Sequence, residues 1–283
     1  MRAPIRLWLP YAGACIAILF IAVLSVSLVR QPLAPISLGD YASEFCETQS
    51  AAHNDATFQV LSLTSSYAQL FAQTLCDSPL VAQYFGSVKV TWRPRGFLTA
   101  QHIIEQDYHL IWNRDYLVHG LVPEFDDFYS AVAETVSYPV FWVGKKERPQ
   151  LTQTYFANKR VGLLDDSYSQ SFFQLPQQTL REAGIVLNDD QRRLYPSLQA
   201  LYTAFNSGEV DIITSPGLQL WGLDANDAHT LALPHHSPPV TWYLSRPMAD
   251  SPLLCEVVRA LVRIPLFKDE PPSPQGPARS CAR

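Results

Sequence analysis

From Ala56 onward, short β-prone apolar runs alternate with stretches of helical spacing, and this rhythm confines the chain to an α/β architecture. "ATFQVLSLT" reads as a first strand. "SSYAQLFAQTLCDS" follows, with Tyr67, Leu70, Phe71 and Leu75 at helical spacing and Ser65 or Ser66 as N-cap. "SVKVTW" (Ser87 to Trp92) reads as a second strand, "LTAQHIIEQ" as a short helix and "YHLIWN" as a third strand. That order is the pattern of a parallel sheet covered by helices. "YPVFWVG", residues 138–144, is an aromatic, β-prone run that carries the chain toward a second lobe.

The second lobe repeats the rhythm. "KRVGLLD" reads as a strand and "SFFQLPQQTLREAGI" as a helix ended by Gly184, with Pro176 forcing a kink or a late start. "RRLYP" is a strand, "SLQALYTAFNSG" a helix closed by Gly208, and "EVDIIT" a strand. "GLQLWGL" reads as a short helix, "HTLALP" and "VTWYLSR" as strands, and "SPLLCEVVRALVRI" as a helix that returns to the first lobe. The tail after Lys268, "DEPPSPQGPARSCAR", reads as disordered unless a cysteine bridge ties it back.

The first 55 residues are different. "WLPYAGACIAILFIAVLSVSLV", residues 8–29, carries no charge over 22 residues, which suffices for a span of about 20. Arg2 and Arg6 precede it and Arg30 follows, so the N-terminal side is placed in the cytoplasm and the bulk in the periplasm. The run is longer than a signal-peptide core of roughly 7–15 residues, and it reads as a single-pass inner-membrane anchor or an uncleaved signal. Cys15 lies inside this span; Cys46, Cys76, Cys255 and Cys281 lie outside it. An even number in an exported domain suits disulfides. Sequence proximity favours Cys46 with Cys76 and Cys255 with Cys281, although other connectivities and free thiols are also compatible with the sequence. A net charge of −5 and the lack of a basic stripe argue against a nucleic-acid partner.

The segment "NKRVGLLDDSYSQSFFQLPQQTLREAGI", then "YPSLQALYTAFNSGEVDIIT", resembles the second lobe of the phosphonate-binding family of periplasmic substrate-binding proteins. "HLIWNRDYLV" is similar to that family's third strand and following loop, and the resemblance covers about residues 56–265. It implies a two-lobed, type 2 periplasmic-binding-protein-like domain after one N-terminal transmembrane helix. The expected organisation is a cytoplasmic N-terminus (1–7), anchor (8–29), linker (30–55), lobe 1 (56–137), lobe 2 with crossing strands (138–239), a return to lobe 1 (240–267) and a proline-rich tail (268–283). The family's ligand turn usually reads Ser-Thr-Ser-Gly, whereas here it is Ser167-Tyr168-Ser169-Gln170.

In open α/β sheets ligands sit beyond the carboxyl ends of the strands, which nominates the residues there. The "DDSYSQS" turn offers Ser167, Tyr168 and Ser169 at a helix N-terminus, a place suited to anions, although one serine serving as an ordinary N-cap is the competing reading. Arg93 and Arg95 lie just after the second strand and Asn113 and Arg114 just after the third, and Trp92 and Trp112 beside them could stack on a ring or wall the pocket. Arginine forks match carboxylate and phosphate oxygens. Ser65 after the first strand, with Thr214 and Ser215 after "EVDII", completes the candidate set. His235 and His236 are adjacent, so on an extended chain they point apart and make a poor metal site. No cofactor, metal or catalytic motif is recognised. The sequence thus suggests a solute-binding protein for a small, anionic ligand of phosphonate, phosphate or carboxylate type, serving transport or sensing through a permease or sensor protein. The alternative is a ligand-free module on the same fold that acts as an interaction or signalling partner; an enzyme is a third and weaker reading.

Overall fold

A computed structural model describes residues 43–50, 54–216, 229–264 and 272–282. The apolar 8–29 segment, Cys15 and the helix expected at 217–223 lie outside the described residues. Two sheets are built from twelve strands among those described: β1 (Ser43–Glu47), β2 (Thr57–Ser62), β3 (Ser87–Trp92), β4 (Leu110–Asn113), β5 (Tyr129–Glu134), β6 (Tyr138–Gly144), β7 (Val161–Leu164), β8 (Arg192–Tyr195), β9 (Ile212–Ser215), β10 (His229–Ser237), β11 (Thr241–Ser245) and β12 (Ser273–Pro274). The first sheet has the order β1-β3-β2-β4-β11-β5-β12 and the second β10-β6-β9-β7-β8. The chain leaves the first sheet between β5 and β6 and returns between β10 and β11, so two short segments, 135–137 and 238–240, join the lobes.

Period-two alternation explains why each sheet is covered on both faces. In the first sheet Val60, Trp112 and Trp242 face one buried cluster, with the helices Ala68–Cys76 and Leu253–Leu261. Their chain neighbours Leu61, Ile111 and Tyr243 face the opposite cluster, with Ile103, Val118 and Phe125. In the second sheet Trp142, Leu163 and Ile212 face Leu175 and Leu180, while Val143, Leu164 and Ile213 face Leu201 and Phe205. Each fully buried side chain of this kind contributes about 1.5–3 kcal/mol. Gly162 on β7 is needed for the close approach of the helix Leu198–Ser207: a Cβ there would lie 2.7 Å from a Leu201 methyl.

The structure departs from the sequence expectations in four places. The sheets are mixed, not parallel: β2 runs parallel to β3 and β4, and β7 parallel to β8 and β9, but β1, β5, β6, β10, β11 and β12 add antiparallel. The stretch read as linker contributes β1, whose "SEFCE" alternates exposed and half-buried residues as an edge strand does. The tail read as disordered forms β12 and a 3₁₀ turn at Gly276–Ala282, because Cys255 and Cys281 are bridged. Neither Ser65 nor Ser66 caps the first helix; Tyr67 occupies that position with φ 62° and makes no side-chain cap bond. Pro176 gives a late start: a π-helical turn at Gln170–Gln174 precedes the α-helix Leu175–Glu182. The second bridge joins Cys46 to Cys76 and pins β1 onto the helix Ala68–Cys76.

Candidate functional site

The carboxyl ends of the parallel strands of both sheets converge on one open-mouthed cleft with a cavity volume of about 110 Å³. From the first lobe come Leu63, Thr64 and Ser66 after β2, Trp92 to Arg95 at and after β3, and Trp112 of β4. The second lobe supplies Leu164 and Asp166 after β7, Pro196 to Leu198 after β8 and Pro216 after β9, together with Ser169, Ser171 and Phe172 of the helix entry. This is where an open α/β sheet presents a ligand site.

Two guanidiniums and one carboxylate line the cleft: Arg93, Arg95 and Asp166. Arg93 lies over the Phe97 ring at 5.3 Å. Arg95 reaches across to the other lobe, its Nη1 3.5 Å from Asp166 Oδ2, with side chains 13% and 7% exposed. The same Asp166 accepts the Tyr168 N–H at 3.0 Å, so the turn itself aims the carboxylate. Two further contacts bridge the lobes near this pair: the Gln170 amide donates to the Tyr116 hydroxyl at 3.2 Å, and the Tyr168 ring lies close to Gly96.

The serine-rich turn is not an ordinary cap. Ser169 holds the N-cap position, is buried, lines the cleft and makes no side-chain cap bond. The Ser171 hydroxyl meets the Tyr138 hydroxyl at 3.1 Å, and its carbonyl accepts from Thr214 Oγ1 at 2.6 Å. Ser167 is exposed and Tyr168 is 45% exposed; neither lines the main cleft. Tyr168 instead lines a neighbouring cavity with Asn113, Gly96 and Arg95.

Of the residues selected from sequence, the cleft therefore gathers Trp92, Arg93, Arg95, Trp112 and Ser169. Ser65 is exposed beside it, with Thr64 and Ser66 in its place. Asn113 is buried and its side chain accepts the Arg114 N–H at 2.9 Å. Thr214 anchors the helix entry, and Ser215 meets the Tyr202 hydroxyl at 2.9 Å behind the wall. Arg114 sits beneath the connection between the lobes, 1% exposed, and donates to the carbonyls of Pro238 and Pro239 and, at 2.9 Å, to the Ser237 hydroxyl. Among the described residues no carboxylate pairs with it, and burial lowers its pKa from the usual guanidinium value. Sequence reasoning nominated Arg95 but missed its pairing with Asp166 across the lobes, and missed Tyr138 as a cleft residue. Trp112 forms part of the floor and stacks on Trp242, centroids 5.2 Å apart and planes at 10°. His235 meets Glu182 at 2.9 Å, and no group of three or more metal-ligating side chains is found among the described residues.

No family model matches the sequence, and no curated protein does. Solved structures do. PhnD1 from Prochlorococcus marinus, in complex with methylphosphonate, matches with a TM-score of 0.53 at 14% identity, over 73% of this chain and 84% of that one. The chain has the fold of the phosphonate-binding periplasmic proteins. A full-length BenM variant matches with a TM-score of 0.52 at 9% identity, over 94% of this chain and 79% of that one. The binding-protein component of an ABC phosphonate transporter from Pseudomonas aeruginosa gives 0.49 at 15% identity, over 78% and 82%. The superpositions on PhnD1 and BenM, at 14% and 9% identity, establish fold alone; the chemistry of the site has to be argued from its own residues.

Proposed function

We propose that this chain is an exported, membrane-anchored solute-binding protein that clamps a small anion between its lobes, for transport or sensing. One observation carries the reading: strand ends from two separate sheets meet at a single cleft lined by two guanidiniums. Arg114, buried at the return crossing near Arg95, adds positive charge close to the cleft and has no carboxylate partner among the described residues. Among the described residues two short connections join the lobes, the arrangement on which hinge closure depends. Binding rather than catalysis fits the wall, since among the described residues the charged groups at the cleft are two arginines and one aspartate that pairs with Arg95. The two disulfides suit an oxidising compartment, and the 8–29 segment supplies the anchor that keeps the domain on the periplasmic face. A permease or a membrane sensor then receives the closed form.

The alternative, a ligand-free interaction module, is favoured by one feature: Arg95–Asp166 and Tyr168 against Gly96 already tie the lobes together. Thermal unfolding against a panel of phosphate, phosphonates, carboxylates, amino acids and nucleotides separates the two. A ligand at 100 times its Kd adds about 2.7 kcal/mol of stability. A shift with an anion that is lost in Arg93→Gln supports the solute-binding reading; a flat panel supports the interaction module.

A further inference from the structure

Beside the cleft lies a second cavity of about 290 Å³, against about 110 Å³ for the cleft itself. Arg95 lines both spaces, whereas Asp166 lines only the cleft. The helix Asp115–Leu121 and the turn after β3 build most of the second cavity, and Tyr168 lines it from the other lobe. One buried group in its wall points to a ligand. Asn113 is 2% exposed and lines the cavity. Its Oδ1 accepts the Arg114 N–H at 2.9 Å, so the amide nitrogen is the atom left for the cavity. That Nδ2 donates to no group among the described residues, and a buried donor is rarely left without an acceptor.

The other polar groups of this wall are donors too. Arg95 has one partner among the described residues, Asp166 Oδ2 at 3.5 Å, and its buried Nε has none. The Tyr116 hydroxyl accepts from the Gln170 amide at 3.2 Å, which leaves its own proton to give. Among the described residues no carboxylate lines the cavity. A ligand there must present acceptors, and beside a guanidinium an anionic head forms the stronger bonds. The rest of the wall is apolar, with Leu98, Leu117, Leu121 and the Tyr168 ring. Tyr116, Leu121 and Tyr168 are 50%, 39% and 45% exposed, so a hydrocarbon body would cover apolar surface that faces water. At roughly 30 Å³ per water-sized group, the space admits about ten such groups.

We infer that this cavity is a second ligand site, separate from the cleft, for a small amphipathic anion, with the anionic head at Asn113 and Arg95 and an aliphatic body among Leu98, Leu117, Leu121 and Tyr168. Such a ligand touches both lobes, so it favours the arrangement in which Tyr168 lies against the first lobe. The inference stands whether or not the cleft itself takes a solute. The test is titration calorimetry on the full chain with hexanoate and 4-methylpentanoate, against acetate, which has the head alone, and hexanol, which has the body alone. The expected result is saturable 1:1 binding of at least one six-carbon acid, at least about tenfold tighter than acetate or hexanol. Gly120 lines the cavity, and a Cβ there meets nothing within 4 Å. Gly120→Leu thus fills the space without backbone strain and raises helix propensity, so it should weaken the acid about tenfold or more with Tm unchanged or higher. Asn113→Asp keeps the acceptor for the Arg114 N–H but replaces the donor with a negative oxygen, and should weaken the acid at least as much. Undiminished binding in Gly120→Leu would seat the acid elsewhere and overturn the inference, with the solute-binding reading left intact. Undiminished binding in Asn113→Asp, acetate or hexanol binding as tightly as the six-carbon acids, or no binding of either acid, also overturns it.

Discussion

Replacing Arg114 by methionine tests the connection between the lobes. The guanidinium is 1% exposed and donates to three acceptors at the return crossing: the carbonyls of Pro238 and Pro239 and the hydroxyl of Ser237. Hydrogen bonds from a charged donor contribute about 1.5–3 kcal/mol each, a gross loss of roughly 4–9 kcal/mol for three. Two terms act against that loss. Pro238 and Pro239 are exposed, so their carbonyls can regain water. Removing a buried cation that has no carboxylate partner also relieves a desolvation cost of several kcal/mol. The uncompensated remainder is the fully buried Ser237 hydroxyl, which loses its charged donor at a cost of about 1–3 kcal/mol. The net expectation is a loss of about 3 kcal/mol, which lowers Tm by roughly 6–12 °C for a chain of this size. Urea unfolding followed by circular dichroism measures it. A loss below about 0.5 kcal/mol, or a gain, would refute the view that Arg114 locks the crossing.

The Cys46–Cys76 bridge closes a separation of 30 residues, for which loop-closure entropy gives about 3.6 kcal/mol; the double alanine variant should lose roughly that in urea, and a loss under 1 kcal/mol would mean the bridge constrains little. His109 accepts the Gln59 N–H at 3.0 Å and packs between Phe58 and Phe85, and burial lowers its pKa below 6.5. Its contribution is therefore fully present above pH 6.5 and lost as pH falls toward the depressed value, so Tm should drop between pH 7 and pH 5 and the drop should shrink in His109→Gln. Asp166→Asn removes the carboxylate from the cleft and unties Arg95, so anion affinity should rise severalfold while the ligand-free chain loses about 1–3 kcal/mol. Calorimetry showing weaker anion binding in that variant would contradict this charge balance.

The strands that build the cleft were legible because each is a short β-rich run bounded by turn residues: "SVKVTW" gives β3 to the residue, and "KRVGLLD" contains β7. Gly208, with φ 81°, marks the end of its helix just as its position suggests. β1 and β5 were harder. "SEFCE" lies in polar surroundings, and "YSAVAE" carries two alanines with low β-propensity; tertiary pairing with β3 and β11 makes them strands. The site was legible to the level of strand ends and no further. Arg93 and Arg114 look equivalent in sequence, each just past a strand. Their fates differ because the chain returns at Ser237, 123 residues later, and its carbonyls and hydroxyl claim Arg114 for the crossing. The Arg95–Asp166 pair spans 71 residues and two lobes, so no local pattern announces it.

The central claim is that the cleft binds an anion and closes on it. The direct measurement is the distance between spin labels on exposed positions of the two lobes, Glu105 and Arg181, with and without the anion that stabilises the chain most in the thermal-unfolding panel. The account expects a distance distribution that narrows and shifts to the closed separation on saturation, with the shift abolished in Arg93→Gln at the same ligand concentration. A distribution unchanged by a saturating anion would contradict the clamp and leave the fold without the function argued for it.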